Sequence, residues 1–305
     1  MTATLVHNGA PEKTERMDPL VSVIIPSRSR PTMLREAVES VIAQTYHPIE
    51  IVIVLTGANA ETTASARSLQ EEYGARIVVT PPYNLATSRN NGMRAAAGEW
   101  ITFLDDDDIY APTKIQRQVE TAELTGARVI TNSWTQFNEF GPIGNWTPHP
   151  DKHLPPGLSY AEALTTGNFV SNGLLVRAEI MRELGGFDEK LDACEDWDMW
   201  RRISHHHELI YLDEPLVHIR AHSTNMSSRR WLMMSTAFRH LAKMHFDTPD
   251  SLRYMLPRAR SDTLNRLFKY LPNEIYESLN RKSGGRIRTW VRAIKRHLSD
   301  SAKPR

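Results

Sequence analysis

Along the chain, hydrophobic positions gather into short β-branched runs separated by stretches of helical period. Leu20-Val21-Ser22-Val23-Ile24-Ile25-Pro26 is an apolar run closed by proline, the pattern of a buried strand. After the polar Ser27-Arg28-Ser29-Arg30-Pro31, residues Leu34, Val38, Val41 and Ile42 recur at helical spacing, with Pro31 near the expected first turn. Ile49 to Leu55 is nearly continuous Ile and Val, as in a parallel strand covered on both faces. A helical stretch from Glu61 to Tyr73 leads to Ile77-Val78-Val79, and Ala86 to Ala97 leads to Trp100-Ile101-Thr102-Phe103-Leu104. This alternation predicts a doubly wound α/β sheet. Beyond residue 112 the regularity loosens, and the proline- and glycine-rich stretch 141–150 reads as a long loop. Further elements are expected over Gly173–Leu184 and Asp196–Ser204, with a proline-interrupted strand over Leu209–Ile219. From Arg230 the pattern is helical; Ile287, Trp290, Val291, Ile294 and Leu298 share one face, with basic residues largely elsewhere. The mixed polar residues 1–18 read as a flexible leader, and no internal repeat is visible.

Length and charge narrow the classes. At 305 residues the chain can bury a large α/β core with an appendage. Lys and Arg number 37 against 36 Asp and Glu, a net charge of +1, so whole-chain electrostatics give no reason to expect nucleic acid as a partner. The single cysteine, Cys194, forbids an intrachain disulfide and suits a cytoplasmic location. The apolar runs are far shorter than the roughly 20 residues of a membrane-spanning helix. The expectation is a protein that is soluble or at most peripheral to a membrane, not a processive synthase with its own export channel.

The most informative segment is Trp100 to Pro112, where an apolar strand runs straight into Asp105-Asp106-Asp107-Asp108. In open α/β sheets ligands bind beyond the carboxyl ends of strands. Four adjacent carboxylates repel one another, and a divalent cation with bound phosphates makes such a cluster favourable. A solvated acidic turn capping the next helix is the plainer alternative.

Three segments, Val21-Ser22-Val23-Ile24-Ile25-Pro26, Asn84 to Gly92 and Gly98 to Asp108, resemble in order and spacing the family 2 glycosyltransferases of the GT-A fold. Gly185-Gly186-Phe187-Asp188-Glu189 followed by Glu195-Asp196 extends the likeness, which covers roughly residues 19 to 225. The resemblance implies a nucleotide-diphospho-sugar transferase fold, Rossmann-like with a mostly parallel central sheet, over residues 19–229. Its nucleotide-binding half would run over about 19–112 and its acceptor half over about 113–229, leaving a helical, basic C-terminal extension at 230–305. It further implies a metal-dependent, inverting transfer of a sugar from a nucleotide donor, a UDP-sugar or one with another base, to a hydroxyl of a saccharide, lipid-linked glycan or small molecule.

The same resemblance assigns roles. Asp106 faces the ribose, with Asp105 able to share that role, and Asp107 holds Mn²⁺ or Mg²⁺ on the diphosphate. Pro26, Ser27 and Arg28 line the nucleotide site, and Arg89 lies near the nucleotide; an ordinary ion pair is the alternative for Arg89. Asp196 is the catalytic base, Glu195 or Asp198 binds acceptor hydroxyls, and Trp197 offers an apolar face to a sugar ring. A plainer reading has these acids simply favouring a helix N-terminus. His222 stands where related enzymes often carry a histidine near the metal, while His205-His206-His207 reads as a solvent-facing helix end. One departure from the family pattern is clear: where an Asp usually reads uracil, this chain has Leu55-Thr56-Gly57-Ala58, leaving Thr56 with one hydroxyl.

Two other functions remain open at this level. A sugar nucleotidyltransferase would carry a glycine-rich phosphate loop after the first strand, and Ser27 to Pro31 contains no glycine. A decayed scaffold that merely binds carbohydrate is weakened by the presence of both the acid run and Asp196. The C-terminal helix would pack on the catalytic domain or another subunit, as in a homo-oligomer, or dock on acidic lipid headgroups.

Overall fold

The computed structural model describes residues 18–146 and 170–222. The leader, the 147–150 part of the expected loop and the helical extension from 230 lie outside the described residues. Among the described residues nine strands form one sheet in the order β3-β2-β1-β4-β8-β6-β9-β5, with β7 beside β6. β1 (Val21–Ser27), β2 (Ile49–Thr56), β3 (Arg76–Thr80) and β4 (Trp100–Phe103) make a wholly parallel block. The chain winds outward through β2 and β3 and then returns to place β4 on the other side of β1. That reversal opens a crevice at the carboxyl ends of β1 and β4.

The hydrophobic pattern explains the layering. On β1, Val21, Val23 and Ile25 face helices α1 (Pro31–Ile42), α2 (Ala60–Tyr73) and α4 (Lys114–Thr125). Ile24 faces the opposite way, toward α3 (Leu85–Ala95), with α5 (Ala178–Glu183) and α6 (Glu195–His206) covering the rest of that face. Burial on both faces is why these strands read as unbroken apolar runs. Pro26 fits inside β1 because alternate residues turn their backbone to the β4 side, and β4 pairs with β1 only as far as Ile24. The missing N–H of Pro26 therefore falls where no strand awaits it.

The second half corrects the expectation of loosened order past residue 112. There α4 buries Ile115, Val119 and Ala122, an i, i+4, i+7 stripe, and β6 (Val129–Asn138) follows. The stretch expected to be loop begins as β7 (Gly141–Trp146), a hairpin partner of β6. A 3-10 turn at Ser171–Gly173 leads to β8 (Leu175–Arg177), antiparallel to both β4 and β6. The interrupted strand is β9 (Ile210–Arg220), parallel to β6; the pairing slips in register around Pro215, which absorbs the proline. β5 (Ile109–Tyr110) pairs antiparallel with the end of β9 and so carries the acid run against Arg220.

Close packing of α3 on the sheet depends on Gly92. A Cβ there would overlap Ile24 Cγ2 and stand 3.0 Å from Val54 Cγ2, both on fully buried side chains. Gly92→Ala gains about 1 kcal/mol of helix propensity but incurs an overpacking cost of about 1–3 kcal/mol. The expected result is a melting temperature lower by about 3–6 °C in thermal denaturation. An unchanged or higher value would show that the helix can lift off the sheet freely.

Candidate active site

The acid run begins where β4 ends. Leu104 N–H still bonds to Ile24 O, after which the chain turns tightly, with Asp108 N–H on Asp105 O at 3.1 Å. The turn spreads the four carboxylates over different partners, which offsets part of their mutual repulsion. Asp105 accepts from Arg89 Nη2 at 2.8 Å, and its N–H donates to Asn172 Oδ1 at 3.2 Å. Asp106 accepts from Ser27 Oγ at 2.6 Å and Arg30 Nη1 at 2.8 Å. Asp107 Oδ2 lies 2.9 Å from both Arg30 Nη1 and His222 Nε2. Asp108 accepts from Asn172 Nδ2 and from Arg220 N–H.

Burial pushes the Asp106 carboxyl up from the ordinary range, against the opposing pull of Ser27 and Arg30. It pushes Asp108 much further, with Asp105 and Asp107 adding to the effect. Asp108 is thus an internal anchor for the loop. Of the two carboxylates assigned to the ribose, Asp105 is the more open, with 34% of its side chain exposed against 7% for Asp106.

Beneath the loop lies a buried polar chain that the sequence reading missed. Lys114 Nζ donates to Thr102 Oγ1 and Gln118 Oε1, both at 3.0 Å, and Gln118 donates onward to Asn132 Oδ1 and Gly173 O. Burial pushes the Lys114 pKa well down. This chain ties β4, α4, β6 and the Asn172 turn into one support for the acids.

Helix α3 supplies the link to the opposite wall. Its N-cap Asn84 accepts from Thr87 N–H at 3.0 Å and donates through Nδ2 to Glu189 O at 2.7 Å. Asn90 clasps the Gly186-Phe187 turn, receiving Phe187 N–H at 2.8 Å and donating to Phe187 O at 2.9 Å. Between them Arg89, 2% exposed, donates from Nη1 to Glu195 Oε1 at 2.6 Å as well as to Asp105. The Phe103 and Phe187 rings flank its guanidinium at 5.9 and 5.5 Å. Burial alone would lower the Arg89 pKa, but Asp105, Glu195 and Asp196 outweigh it and the pKa rises.

Two of the assigned residues meet inside the protein: both terminal nitrogens of Arg89 bond carboxylates, Asp105 and Glu195, and Glu195 is buried where Arg89 holds it. Asp198 is likewise fully buried, accepting from Arg202 Nε at 2.7 Å, and Arg202 in turn binds the carbonyls of Leu184 and Gly186. These contacts seat the start of α6, where Cys194 adopts φ 58°, a left-handed conformation that costs a non-glycine residue energy. Asp196 is different. Dense protein surrounds it, yet the residue is partly exposed, and its Oδ1 accepts from Trp197 N–H at 2.8 Å. Desolvation, then Glu195, push its pKa up to about 7 despite Arg89. Trp197 beside it is 37% exposed.

The remaining predicted residues divide by exposure. Ser27 is buried and bound to Asp106, so it orients that carboxylate, and Arg28 is exposed. The arginine that meets both Asp106 and Asp107 is Arg30, which nothing in the sequence singles out. Thr56 is 6% exposed, with Oγ1 2.7 Å from Ser88 Oγ and 3.2 Å from Thr80 Oγ1. Ser88 Oγ also lies within bonding distance of Asn84 O, so Thr56 belongs to a cluster of hydroxyls. His206 is exposed at the end of α6, as expected of that histidine run.

A mixed α/β sheet with an acid loop at its switch strand and a carboxylate helix facing it is the architecture of a GT-A nucleotide-sugar transferase. The family model for glycosyl transferase family 2 matches residues 22–185, and this chain belongs to that family. An uncharacterized glycosyltransferase of Rickettsia felis is 32% identical over 219 residues, covering 69% of this chain and 36% of that protein. A second, from Rickettsia conorii, is 31% identical over 218 residues. This chain thus spans about a third of the length of these two curated relatives, with 36% and 35% covered. In fold it is similar to S. aureus TarS 1-349 in complex with UDP-GlcNAc, with a TM-score of 0.61 at 16% identity, covering 82% of this chain and 73% of that one. It is also similar to the mannosyltransferase PcManGT of Pyrobaculum calidifontis, solved with GDP-Man and Mn²⁺, with a TM-score of 0.61 at 17% identity and 97% and 88% coverage. Among the described residues no helix is long and apolar enough to cross a membrane.

Proposed function

We propose that this chain transfers a sugar from a nucleotide-diphosphate sugar to an acceptor hydroxyl with inversion, using Asp196 as base and a divalent cation at Asp107. The observation that carries the reading is the Arg89 bridge, which joins Asp105 of the acid loop to Glu195 and thereby sets Asp196 across the crevice from the donor side. Asp196 combines an opening to solvent with a pKa near neutrality, the combination a general base requires. Attack by the deprotonated acceptor from its side displaces the diphosphate in a single step, which inverts the anomeric carbon.

The chemistry of the donor set fits a cation. Asp107 Oδ2 and His222 Nε2 meet at 2.9 Å, and among the described residues no three His, Cys, Asp or Glu groups form a cage. Two protein ligands suit Mg²⁺ or Mn²⁺, whose other ligands would be diphosphate oxygens and water. When bound, the ion neutralises charge developing on the leaving diphosphate. Trp197 supports an acceptor with an apolar sugar face. Thr56 offers a hydroxyl, not a carboxylate, and a hydroxyl does not by itself choose among bases. The two structural neighbours were solved with UDP-GlcNAc and GDP-Man, so both bases belong in the test.

Calorimetric titration with UDP, GDP, dTDP and CDP, each with and without Mn²⁺, tests the donor reading. Metal-dependent binding of UDP or GDP is expected, and Asp107→Asn should remove the metal dependence. Binding of the preferred nucleotide that is indifferent to Mn²⁺ in the unmodified protein would rule out the metal role of Asp107.

A further inference from the structure

The acid loop touches three arginines, and they differ in freedom. Arg89 is 2% exposed and sandwiched by rings; Arg220 is 18% exposed, lies 4.6 Å from the Phe137 ring and donates from Nε to Asp107 O at 3.0 Å. Arg30 is 31% exposed and holds the loop through Nη1, 2.8 Å from Asp106 Oδ1 and 2.9 Å from Asp107 Oδ2. Its backbone is fixed at the start of α1, before Pro31, with its carbonyl receiving Leu34 N–H at 2.9 Å. A firm backbone under a long, partly exposed side chain lets the guanidinium leave the carboxylates without moving the fold.

We propose that Arg30 is an internal counter-ion holding the cation position between Asp106 and Asp107, and that it exchanges this place for the diphosphate when metal and nucleotide arrive together. This rests on the reading of Asp107 and His222 as metal ligands. A bare dication approaching Asp107 must compete with a positive charge already in contact with it. A diphosphate supplies the guanidinium with an alternative anionic partner of matching geometry. Metal and diphosphate then favour each other's binding, because each removes an obstacle to the other. Arg30 thereby disfavours metal loading of the empty enzyme and supplies a donor contact once loading occurs.

The test is calorimetric titration of the full chain with MnCl₂ alone and, separately, with preformed manganese pyrophosphate, which carries the diphosphate chemistry without a base. Arg30→Gln should bind Mn²⁺ alone about tenfold more tightly and manganese pyrophosphate about tenfold more weakly, the scale of one partly buried charge pair. Arg30→Met, which keeps an apolar stem and lacks the charge, should show the same opposed changes, whereas Arg30→Lys should keep the original weak affinity for Mn²⁺ alone. A general loosening of the loop would weaken both titrations, so opposed signs separate the exchange from a structural role. Mn²⁺ affinity unchanged or weaker in both neutral variants overturns the proposal. Asp107→Asn separates the underlying reading: if it binds manganese pyrophosphate as tightly as the unmodified protein, the metal site itself is misassigned.

Discussion

Asp196→Asn is expected to lower sugar transfer by about 10³–10⁴-fold, the upper range for loss of a general base, while nucleotide affinity stays within about twofold. The asymmetry follows from position: Asp196 lies on α6, on the far side of Arg89 from the acid loop, and its carboxylate accepts from Trp197 N–H of its own helix. In the unmodified enzyme the rate should rise with pH to a plateau above about 7, since only the ionised carboxylate accepts a proton. The variant should lose that rise. Stability provides an independent check. A carboxyl whose folded pKa is raised makes folding less favourable as pH climbs from the unfolded value near 4 to the folded value, and the deficit is constant above it. Asn carries no such deficit and still accepts from Trp197 N–H. Allowing for the open face of Asp196, the gain is about 1 kcal/mol at pH 8, or about 2–4 °C in melting temperature, vanishing near pH 4. Transfer retained within tenfold would place the base elsewhere.

Arg89→Leu should produce the largest loss of stability. It strands the buried Glu195 without the cation that bonds it at 2.6 Å, and deprives Asp105 of its partner as well. Breaking a buried pair on one side costs about 3–5 kcal/mol, equivalent here to a melting temperature lower by about 10 °C. The deficit should shrink toward acidic pH, where protonation discharges the stranded acids. Arg89→Lys should lie between, because an ammonium lacks the fork that spans both walls. A change below about 2 °C for Arg89→Leu at pH 8 would mean that water reaches these carboxylates and that the bridge does not hold the crevice together.

The parallel half of the fold was legible because its strands are buried on both faces, so β1, β2 and β4 appear as apolar runs that no other environment tolerates. Helix α4 was passed over although Ile115, Val119 and Ala122 mark a core stripe; the polar Gln116, Arg117, Glu120 and Glu123 between them diluted it. β6 was obscured by Thr131, Asn132 and Ser133, which are buried polar residues and look like loop in a hydropathy pattern. The site divides in the same way. Asp105 to Asp108 and Asp196 could be found in sequence, since carboxylates at a strand end and a helix start are local features. Arg30 sat in plain view two residues from Arg28, and nothing in the spacing says which of the two turns inward.

The sequence by itself determined the α/β class, the parallel block, the family and the segments that carry acids to the crevice, because hydrophobic period and motif order are properties of neighbouring residues. Only the tertiary structure decided which charges meet. Arg89 and Glu195 are separated by 106 positions, and Asp107 and His222 by 115. Such pairs form when the return of β4 beside β1 and the arrival of the start of α6 beside Arg89 bring them within hydrogen-bond distance. Burial then fixes the outcome, since a carboxylate taken out of water must find a cation or a proton: Glu195 found Arg89, and Asp196, one residue further on, is held near neutrality.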